Sequence, residues 1–570
     1  MAQKSFSRRQ VVGLGCASLA LLATRGSRAA AASADWAAPD LIVVNAKVYT
    51  MDTRLPNTEG FAVRGGRFVA LGTSRNMRAL AAKSTQIIDA QQMTVVPGFI
   101  DSHNHAPGNE LLYEVLVGNP YEVEFVTIGS IIDKLRAKAL KTPADTWVEG
   151  YFFDDTKVKD KRALTRADLD QVSKDLPVMV QHRGGHTGFY NSKALQMAGI
   201  KRDTPNPAGG TFDRDASGEL TGRVTDRARD VFDKVGKHKS YEGEEAMGRD
   251  RDGLAYISKQ FVRFGLTSVC HESGNLRALQ EVRARGDLKH RVSYEAEGPE
   301  LEAMLSGGMS TGLGDEWIRL GATCEHGADG SFSERTMAIS TPYAGTNGYK
   351  GNITETQEVL NAWCERVHGA GIQMNCHANG DVAIDHVLTA YERALRLKPA
   401  ADARPKITHC TLVTDDLVRR IKAIGAVPAL FTSYAYYNPD KFHFYGEELM
   451  KRCMAFRTLL DAGVPAAAGS DFDPGPFSPL MGIQGMVTRT GWNGEVWGAN
   501  QRITVDEALR VNTLNGAYAT REESIKGSIT AGKLADFVML AEDPHTVDAG
   551  RIKDIKIVRT VVGGHTQYSA

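Results

Sequence analysis

Eight short apolar segments recur through the middle of the chain, and stretches with helical periodicity separate several of them. One helical stretch is "DVAIDHVLTAYERALRL", in which Val387, Leu388 and Tyr391 share one face. Strands that alternate with helical crossovers predict an α/β fold of the (β/α)8 TIM barrel type, which needs about 250 residues. The candidate strands are "GFIDSHNH", "GLTSVCHES", "RVSYEAE", "WIRLGATCEHG", "GIQMNCHANG", "KITHCTLV", "AVPALFT" and "VPAAAGSD".

The first 34 residues have the pattern of a bacterial twin-arginine export signal. Arg8 and Arg9 precede a short apolar run, and an Ala-x-Ala exit ends at Ala34. The apolar run is too short to span a bilayer, so we expect no stable membrane insertion. We predict that the twin-arginine machinery exports the chain and that the mature protein is periplasmic or secreted. Whether it forms a homo-oligomer stays open.

The two ends of the mature chain differ in texture from its middle. Both ends consist of short strand-like pieces punctuated by Gly, Asn and Asp, which is typical of antiparallel β structure. We therefore predict a small composite β-sandwich formed by the N- and C-terminal segments. The predicted layout is a signal peptide over residues 1–34, the first part of the β-sandwich over 35–97, the barrel over 98–520 with an insertion after strand 1 at about 106–250, and the second part of the β-sandwich over 521–570.

Two histidines, His103 and His105, end the first candidate strand. Side chains alternate along a strand, so these two point the same way, near the end of the barrel where active sites of this fold lie. Burying two imidazoles is costly unless their polar atoms are satisfied, and a metal ion satisfies both. Imidazole nitrogen is a preferred zinc ligand. The pair therefore predicts a metal site.

Other metal-capable side chains end other candidate strands. His377 ends the fifth, His409 the sixth and Asp471 the eighth, while Glu325 lies at the end of the fourth. Scattered core residues would not recur at the same end of separate strands. We predict a centre of one or two divalent ions, with Zn²⁺ expected, and its metal residues are His103, His105, Glu325, His377, His409 and Asp471.

The charge balance excludes some classes of partner. Lys and Arg together number 68, as do Asp and Glu, and the formal net charge is zero. We find no sustained basic stripe and predict no binding of nucleic acid. A small neutral or mixed molecule suits this chain better as a substrate.

Seven motifs are spread along the mature chain: "VVPGFIDSHNH", "FFDDTKVKDKRALTRADLDQVSKDLPVMV", "GGHTGFYNSKAL", "ADGSFSERT", "HANGD", "AAAGSD" and "KGSITAGKLADFVML". With them the chain resembles the amidohydrolase superfamily and, more closely, its amidohydrolase family 3 branch, over nearly all of the mature chain. The branch includes N-substituted formamide deformylase-like metal-dependent hydrolases. The resemblance implies a metal-bearing (β/α)8 barrel with a small composite β-sandwich, and it makes His103, His105, His377, His409 and Asp471 metal-site residues.

One position departs from that family pattern. Many relatives carry a carboxylated lysine at the end of strand four, where it bridges two metals, whereas this chain has Glu325 there. A glutamate also presents two oxygens, so a bridged site with two ions remains open. The alternative is a site for one ion, with His409 contacting the substrate, and its ligands are His103, His105, His377 and Asp471.

The predicted reaction is hydrolysis of an amide-like C–N bond, other than a peptide bond, in a small molecule. A zinc-type ion lowers the pKa of bound water from about 15.7 to about 7 and polarises the carbonyl. Asp471 is predicted to take the proton of the water and to pass it to the leaving nitrogen, with His409 as a second catalytic residue. The predicted substrate-binding residues are His186, Arg183 and Asp329.

Two alternatives remain open at this point. One is hydrolysis of a cyclic amide or an ester by an enzyme of the same superfamily. The other, from a different class, is a non-catalytic periplasmic metal-binding protein. The combination of a complete ligand set with Asp471 argues against the second alternative, because storage of a metal needs no general base.

Overall fold

The structure is a computed structural model, and it describes residues 38–238 and 240–570. The predicted export signal, residues 1–34, lies outside the described residues. Within the described ranges, no helix combines the length and the apolar character needed to cross a membrane.

Short strands and one short helix form the first part of the described chain. The helix begins after Thr73, whose side chain accepts a hydrogen bond from the Asn76 N–H and so caps the first turn. The elements are β1 (Leu41–Val44), β2 (Lys47–Tyr49), β3 (Asn57–Thr58), β4 (Gly60–Arg64), β5 (Arg67–Gly72), α1 (Ser74–Arg78), β6 (Gln86–Asp89) and β7 (Thr94–Pro97).

A fully buried strand and a long insertion come next. Two helices of the insertion begin with capping boxes, at Thr127 and at Thr165. The elements are β8 (Phe99–Asn104), α2 (Gly108–Tyr113), β9 (Val115–Leu116), α3 (Ile128–Ala139), β10 (Val148–Phe153), α4 (Arg166–Leu169), β11 (Val178–His182), β12 (Thr187–Tyr190), α5 (Ser192–Met197), β13 (Gly210–Arg214), β14 (Leu220–Asp226) and a 3-10 helix at Arg227–Lys234.

Strands alternate with helices through most of the remaining chain. Thr504 and Glu507 form a capping box at the start of a helix, since each side chain accepts a hydrogen bond from the other residue's backbone N–H. The elements are α6 (Gly243–Arg263), β15 (Leu266–Glu272), α7 (Leu276–Ala284), β16 (Arg291–Ala296), α8 (Gly298–Ser306), β17 (Ile318–Thr323), β18 (His326–Gly327), α9 (Gln357–Gly369), β19 (Asn375–Ala378), α10 (Asp381–Leu397), β20 (Lys406–His409), α11 (Asp415–Ile424), β21 (Val427–Phe431), α12 (Tyr434–Tyr437), α13 (Pro439–Phe442), α14 (Gly446–Met450), α15 (Phe456–Asp461), β22 (Ala467–Gly469), α16 (Pro479–Thr488), α17 (Val505–Val511), α18 (Leu514–Ala519), β23 (Phe537–Leu540), β24 (Ile557–Val562) and β25 (His565–Ser569), with 3-10 helices at Ala499–Gln501 and Ala549–Asp554.

Two parallel sheets contain the eight segments that the sequence marks as strands. One sheet has the order β17-β16-β15-β8 and the other the order β18-β19-β20-β21-β22. Their edges are linked, because the Thr323 N–H donates to the Gln373 carbonyl and the Asp471 N–H donates to the His103 carbonyl, both at 3.0 Å. Most of these strands are buried along their whole length, as expected where helices cover a parallel sheet. The predicted α/β fold is confirmed.

Two further sheets come from the ends of the described chain. One, of order β5-β4-β1-β6, contains N-terminal strands alone, whereas the other, of order β25-β24-β23-β7-β2-β3, combines both ends, and its β23 pairs antiparallel with β7. Phe61, Phe68 and Phe537 belong to one buried cluster, in which the Phe61 ring lies 5.1 Å from Phe68 and 5.0 Å from Phe537. The insertion has its own sheet, of order β13-β14-β12-β11-β10-β9.

Candidate active site

The six predicted metal residues lie together at the carboxyl ends of the two parallel sheets. These strand ends meet in space although the residues are far apart in sequence, because parallel strands all end at the same side. The positions are His103 in β8, His105 just after β8, Glu325 between β17 and β18, His377 in β19, His409 at the end of β20, and Asp471 just after β22.

A first group of possible metal donors gathers around the Asp471 carboxylate. Asp471 Oδ1 lies 2.9 Å from His103 Nε2 and 3.0 Å from His105 Nε2. Glu325 Oε1 lies 3.7 Å from His103 Nε2 and 3.9 Å from His105 Nε2. One donor atom from each of these four residues falls within 4.8 Å of the others.

A second group contains the other oxygen of Glu325. Glu325 Oε2 lies 3.3 Å from His377 Nδ1 and 3.2 Å from His409 Nε2, and these two nitrogens are 2.9 Å apart. Glu325 therefore belongs to both groups, with one oxygen directed to each pair of histidines. This is the arrangement in which a carboxylate can lie between two cations.

The chemistry of these donors fits a divalent transition-metal ion. Glu325 Oε2 is buried and has no hydrogen-bond partner, so it has a lone pair to give. Burial alone would lower the pKa of His105 and of His377, but Asp471 beside the first and Glu325 beside the second raise both to about 9. The carboxylates thus draw positive charge into the site. Imidazole and carboxylate are the usual ligands of catalytic zinc.

The backbone is strained at two of these residues. His409, its neighbour Cys410 and Asp471 have φ values of 71°, 44° and 52°. Non-glycine residues in this left-handed region cost free energy and cluster at functional sites. The strained turn at Asp471 is held by its N–H bond to the His103 carbonyl, and it directs the carboxylate toward both histidines of β8.

Glu272, at the end of β15, supports the site through contacts with His103 and Glu325. The sequence analysis did not identify this carboxylate. Glu272 Oε1 lies 2.9 Å from His103 Nδ1, and its Oε2 accepts the Glu325 N–H at 2.9 Å. A partner on the outer nitrogen of a metal-binding histidine fixes the ring orientation and leaves the inner nitrogen free. Glu272 therefore positions two residues of the first donor group, His103 and Glu325.

Lys406 and Glu295 form a buried ion pair near Glu272. Lys406 Nζ lies 2.6 Å from a Glu295 oxygen and donates to the Ser102 carbonyl at 2.8 Å. Both charged side chains are almost fully buried. The sequence signal for these residues is a charged side chain inside an apolar strand segment, as in "RVSYEAE" and "KITHC", because such a group is costly unless it is paired.

We expect Glu272→Gln to weaken metal affinity by about 10–100-fold without changing the number of ions bound at saturation. A glutamine has one acceptor oxygen and cannot serve both His103 and the Glu325 N–H. Titration of the apoprotein with zinc against a competing chelator measures the affinity. Glu302→Gln, on an exposed ion pair, is the matched control. An unchanged affinity in Glu272→Gln would contradict the positioning role.

Of the three predicted substrate-binding residues, His186 lies beside the metal donors. Its ring centroid is 5.1 Å from that of His377, and 27% of its side chain is exposed. His186 Nδ1 lies 2.9 Å from Asp226 Oδ1, which fixes the ring. The structure therefore places an anchored imidazole next to the second donor group.

The other two, Asp329 and Arg183, are engaged with protein groups. Asp329 has no exposed surface, and its oxygens accept the backbone N–H groups of Ala338, Asn379 and Gly380. A carboxylate so engaged supports the loop after β19, and its Oδ1 also lies 3.5 Å from His377 Nε2. Substrate binding by Asp329 stays a prediction.

Arg183 is also buried. Its guanidinium donates to the Asp473 carbonyl at 2.6 and 2.8 Å and to the Asn119 carbonyl at 3.2 Å, and it bonds to Tyr437 Oη. All three guanidinium nitrogens therefore have protein partners. Arg183 thus joins loops beside the site, and its contact with substrate stays a prediction.

Fold and site together define the class of protein. Active-site groups at the carboxyl ends of parallel strands, with a carboxylate between two histidine pairs, suit a hydrolase that uses a divalent cation.

The chain belongs to the amidohydrolase family, whose model matches residues 86–568. It is a metal-dependent hydrolase that cleaves a C–N bond other than a peptide bond in a small molecule. It is 28% identical to the N-substituted formamide deformylase of Arthrobacter pascens over 93% of this chain and 98% of that protein. It is also 28% identical to YtcJ of Bacillus subtilis (strain 168), over 91% of this chain and 98% of that protein.

A solved structure has the same fold. It is a metal-dependent hydrolase from Pyrococcus horikoshii OT3, with a TM-score of 0.68 and 23% sequence identity. The match covers 90% of this chain and 99% of the other.

Proposed function

We propose that this chain hydrolyses N-acyl amines and that N-formyl amines are its preferred class. The observation that carries the proposal is Glu325, whose two oxygens face separate histidine pairs while Asp471 lies beside the first pair. The similarity to a formamide deformylase along nearly the whole chain supports the choice of acyl group. Hydrolysis of a cyclic amide or an ester is the second candidate of the same chemistry.

The proposed centre contains two Zn²⁺ ions. His103, His105 and Asp471 would hold one ion, His377 and His409 the other, and Glu325 would bridge them. When bound, such ions polarise the scissile carbonyl and lower the pKa of a coordinated water. The chain provides the donors, and Glu272 and the strained turns hold several of them in position.

Asp471 is the proposed proton carrier. Although burial alone would raise its pKa, the neighbouring His409, His103 and His105 hold that pKa well below its usual range. The carboxylate is therefore ionised at neutral pH and can accept a proton from the attacking water. From its position just after β22, Asp471 can then deliver that proton to the leaving nitrogen.

His186 is the proposed contact for the acyl oxygen or the substituent. Its partly exposed ring is fixed by Asp226 and lies next to His377. His409 is the second proposed catalytic residue. Its Nε2 lies 3.2 Å from Oε2 of Glu325, the proposed bridge, and its backbone at the end of β20 is strained.

The proposal includes the finer architecture and the location. The linked edges of the two parallel sheets support a closed (β/α)8 barrel, and the pairing of β23 with β7 supports a composite β-sandwich from residues 35–97 and 521–570. The twin arginines at Arg8 and Arg9 support export to the periplasm or beyond.

A substrate screen tests the proposed function. Zinc-loaded protein is assayed for release of amine from matched N-formyl, N-acetyl and N-benzoyl amines, lactams and esters. The highest kcat/KM on an N-formyl amine supports the proposal. Activity confined to lactams or esters would replace it with the second candidate. Absence of turnover with every class, in protein that binds metal, would refute it.

We expect Glu325→Gln to lower the metal content at saturating zinc from about two ions per chain to about one. Like charges a few ångströms apart repel strongly in a shielded site, and the amide removes the negative charge between them. Elemental analysis after gel filtration measures the stoichiometry, with Glu302→Gln as the surface control. A variant that still fills every site of the parent would show that Glu325 is not the bridge.

A further inference from the structure

A buried polar group joins the two strand ends that carry most of the first donor group. His103 and His105 belong to the end of β8, and Asp471 follows β22 directly. Asp101 and Ser470 connect these two ends and are only 3% and 4% exposed. Burying such polar side chains is costly unless they are satisfied, so their partners show what they hold in place.

The Asp101 carboxyl group accepts four hydrogen bonds. Its Oδ1 accepts the backbone N–H of Ser470 at 2.9 Å and that of His103 at 3.3 Å. Its Oδ2 accepts the Ser470 hydroxyl at 2.6 Å and the Asn104 side-chain amide at 2.9 Å. A carboxylate offers about four lone-pair positions, and these four donors use them. Asp101 therefore has no oxygen free for a metal ion or a substrate and can act only through its neighbours.

Ser470 carries this connection into the strained turn at Asp471. The Ser470 hydroxyl accepts the Phe472 N–H at 3.2 Å, and the Asp471 N–H donates to the His103 carbonyl at 3.0 Å. Together with the Ser470 N–H on Asp101, three consecutive backbone N–H groups thus have fixed acceptors. A non-glycine residue at φ 52° costs free energy and persists only where its surroundings hold it. Asp101 and Ser470 supply part of that hold.

Asn104 extends the connection toward His105. Its Nδ2 donates to the Ser470 hydroxyl at 3.0 Å as well as to Asp101, and its Oδ1 accepts the Ala106 N–H at 2.7 Å. Ala106 also has a left-handed backbone conformation, with φ 48°. His105 therefore lies between two residues that the same network anchors.

We propose that Asp101 is a positioning residue of the metal centre and that, with Asn104 and Ser470, it sets the distance from the Asp471 carboxylate to the two histidines of β8. These three residues form a polar clamp. The clamp holds Asp471 Oδ1 at 2.9 and 3.0 Å from the two imidazole nitrogens without touching the ion itself. The inference rests on the proposed function, because it assigns the groups that keep the proposed proton carrier beside its metal ligands.

Asp101→Asn disturbs the clamp with little change of shape. The new amide would face the Asn104 amide, and two donors cannot bond to each other. We expect zinc binding to weaken by about 10–100-fold, the usual effect of losing a group that orients a ligand. We also expect kcat on the best N-acyl amine to fall by up to about 10²-fold, because small misplacements of reacting groups are costly.

Titration of the apoprotein with zinc against a competing chelator measures the affinity, and steady-state kinetics measures kcat. Asp133→Asn, on an exposed ion pair with Arg136, is the matched control and should leave both unchanged.

Exchange of two clamp side chains separates positioning from general damage. In the double variant Asp101→Asn/Asn104→Asp, the amide at position 101 can donate to the carboxylate at position 104. Acceptors then remain for the backbone N–H groups of Ser470, His103 and Ala106. Zinc affinity and kcat should therefore return to within about threefold of the parent, as expected for residues that act as a pair.

Ser470→Ala tests the clamp if Asp101→Asn does not fold. It removes only the hydroxyl that contacts Asp101, Asn104 and Phe472, and zinc binding should weaken by about two- to tenfold. Parent-like zinc affinity and kcat in the folded single variants refute the clamp, even if Tm falls, because that result shows a structural role alone. A double variant that stays as impaired as Asp101→Asn also refutes it.

The two readouts separate this inference from the proposed function. Weaker zinc binding in Asp101→Asn that the double variant restores, in a protein that cleaves no N-acyl amine, would support the clamp and refute the proposed function. Cleavage of N-formyl amines with parent-like zinc affinity and kcat in every clamp variant would support the proposed function and refute the clamp.

Discussion

Asp471→Asn should leave the protein folded and able to bind substrate but lower kcat by about 10²–10⁴-fold, the usual range for loss of a general acid–base group. The asparagine cannot accept the proton, while it tolerates the left-handed backbone conformation that Asp471 adopts at φ 52°. Steady-state kinetics on the best N-acyl amine measures the rate, and circular dichroism verifies the fold.

A control variant and a measurement of metal content are needed to interpret the kcat of Asp471→Asn. Asp461→Asn removes an exposed carboxylate from an ion pair with Arg457 and should leave kcat unchanged. Near-normal turnover in Asp471→Asn would reject the role as proton carrier. A loss of metal from the variant would instead show that Asp471 acts chiefly as a ligand.

Removal of the metal should abolish turnover and also lower thermal stability. Dialysis against a strong chelator should reduce activity to background, and zinc added back should restore it. An ion that binds only the folded state at 100 times its Kd adds about 2.7 kcal/mol of stability, so the apoprotein should unfold at a lower temperature. Elemental analysis, activity and Tm are followed on the same samples.

The stability measurement distinguishes two explanations for any loss of activity. Recovery of both Tm and activity on addition of zinc supports a centre that the ion occupies directly. A chelated protein that keeps full activity with no metal in elemental analysis would contradict the assignment of the donors. Addition of Mg²⁺ is the control, because this hard ion prefers oxygen ligands to imidazole.

Much of the fold and of the site could be predicted from local patterns. Each of the eight apolar segments contains a strand, and α10 begins and ends at the bounds of its amphipathic pattern. Four metal-site residues could be recognised because a polar side chain at the end of a buried strand is costly unless it has a partner. They are His103, His377, His409 and Asp471. Since parallel strands end on one side, their convergence follows from strand order alone.

Other features depend on contacts that no local pattern contains. Glu272 acts through His103 and Glu325, which come from different strands. Asp329 and Arg183 have the polar character of ligand-binding residues, but only the tertiary structure shows that backbone groups already occupy their oxygens and nitrogens.

The sequence by itself determined which segments become strands and which side chains stand at their ends, because periodicity and burial act over a few residues. The tertiary structure decided what each of those side chains meets. That Glu325 faces two histidine pairs depends on how strands and loops distant in sequence pack together. Such contacts are set by the whole fold, since each partner is supplied by a different segment.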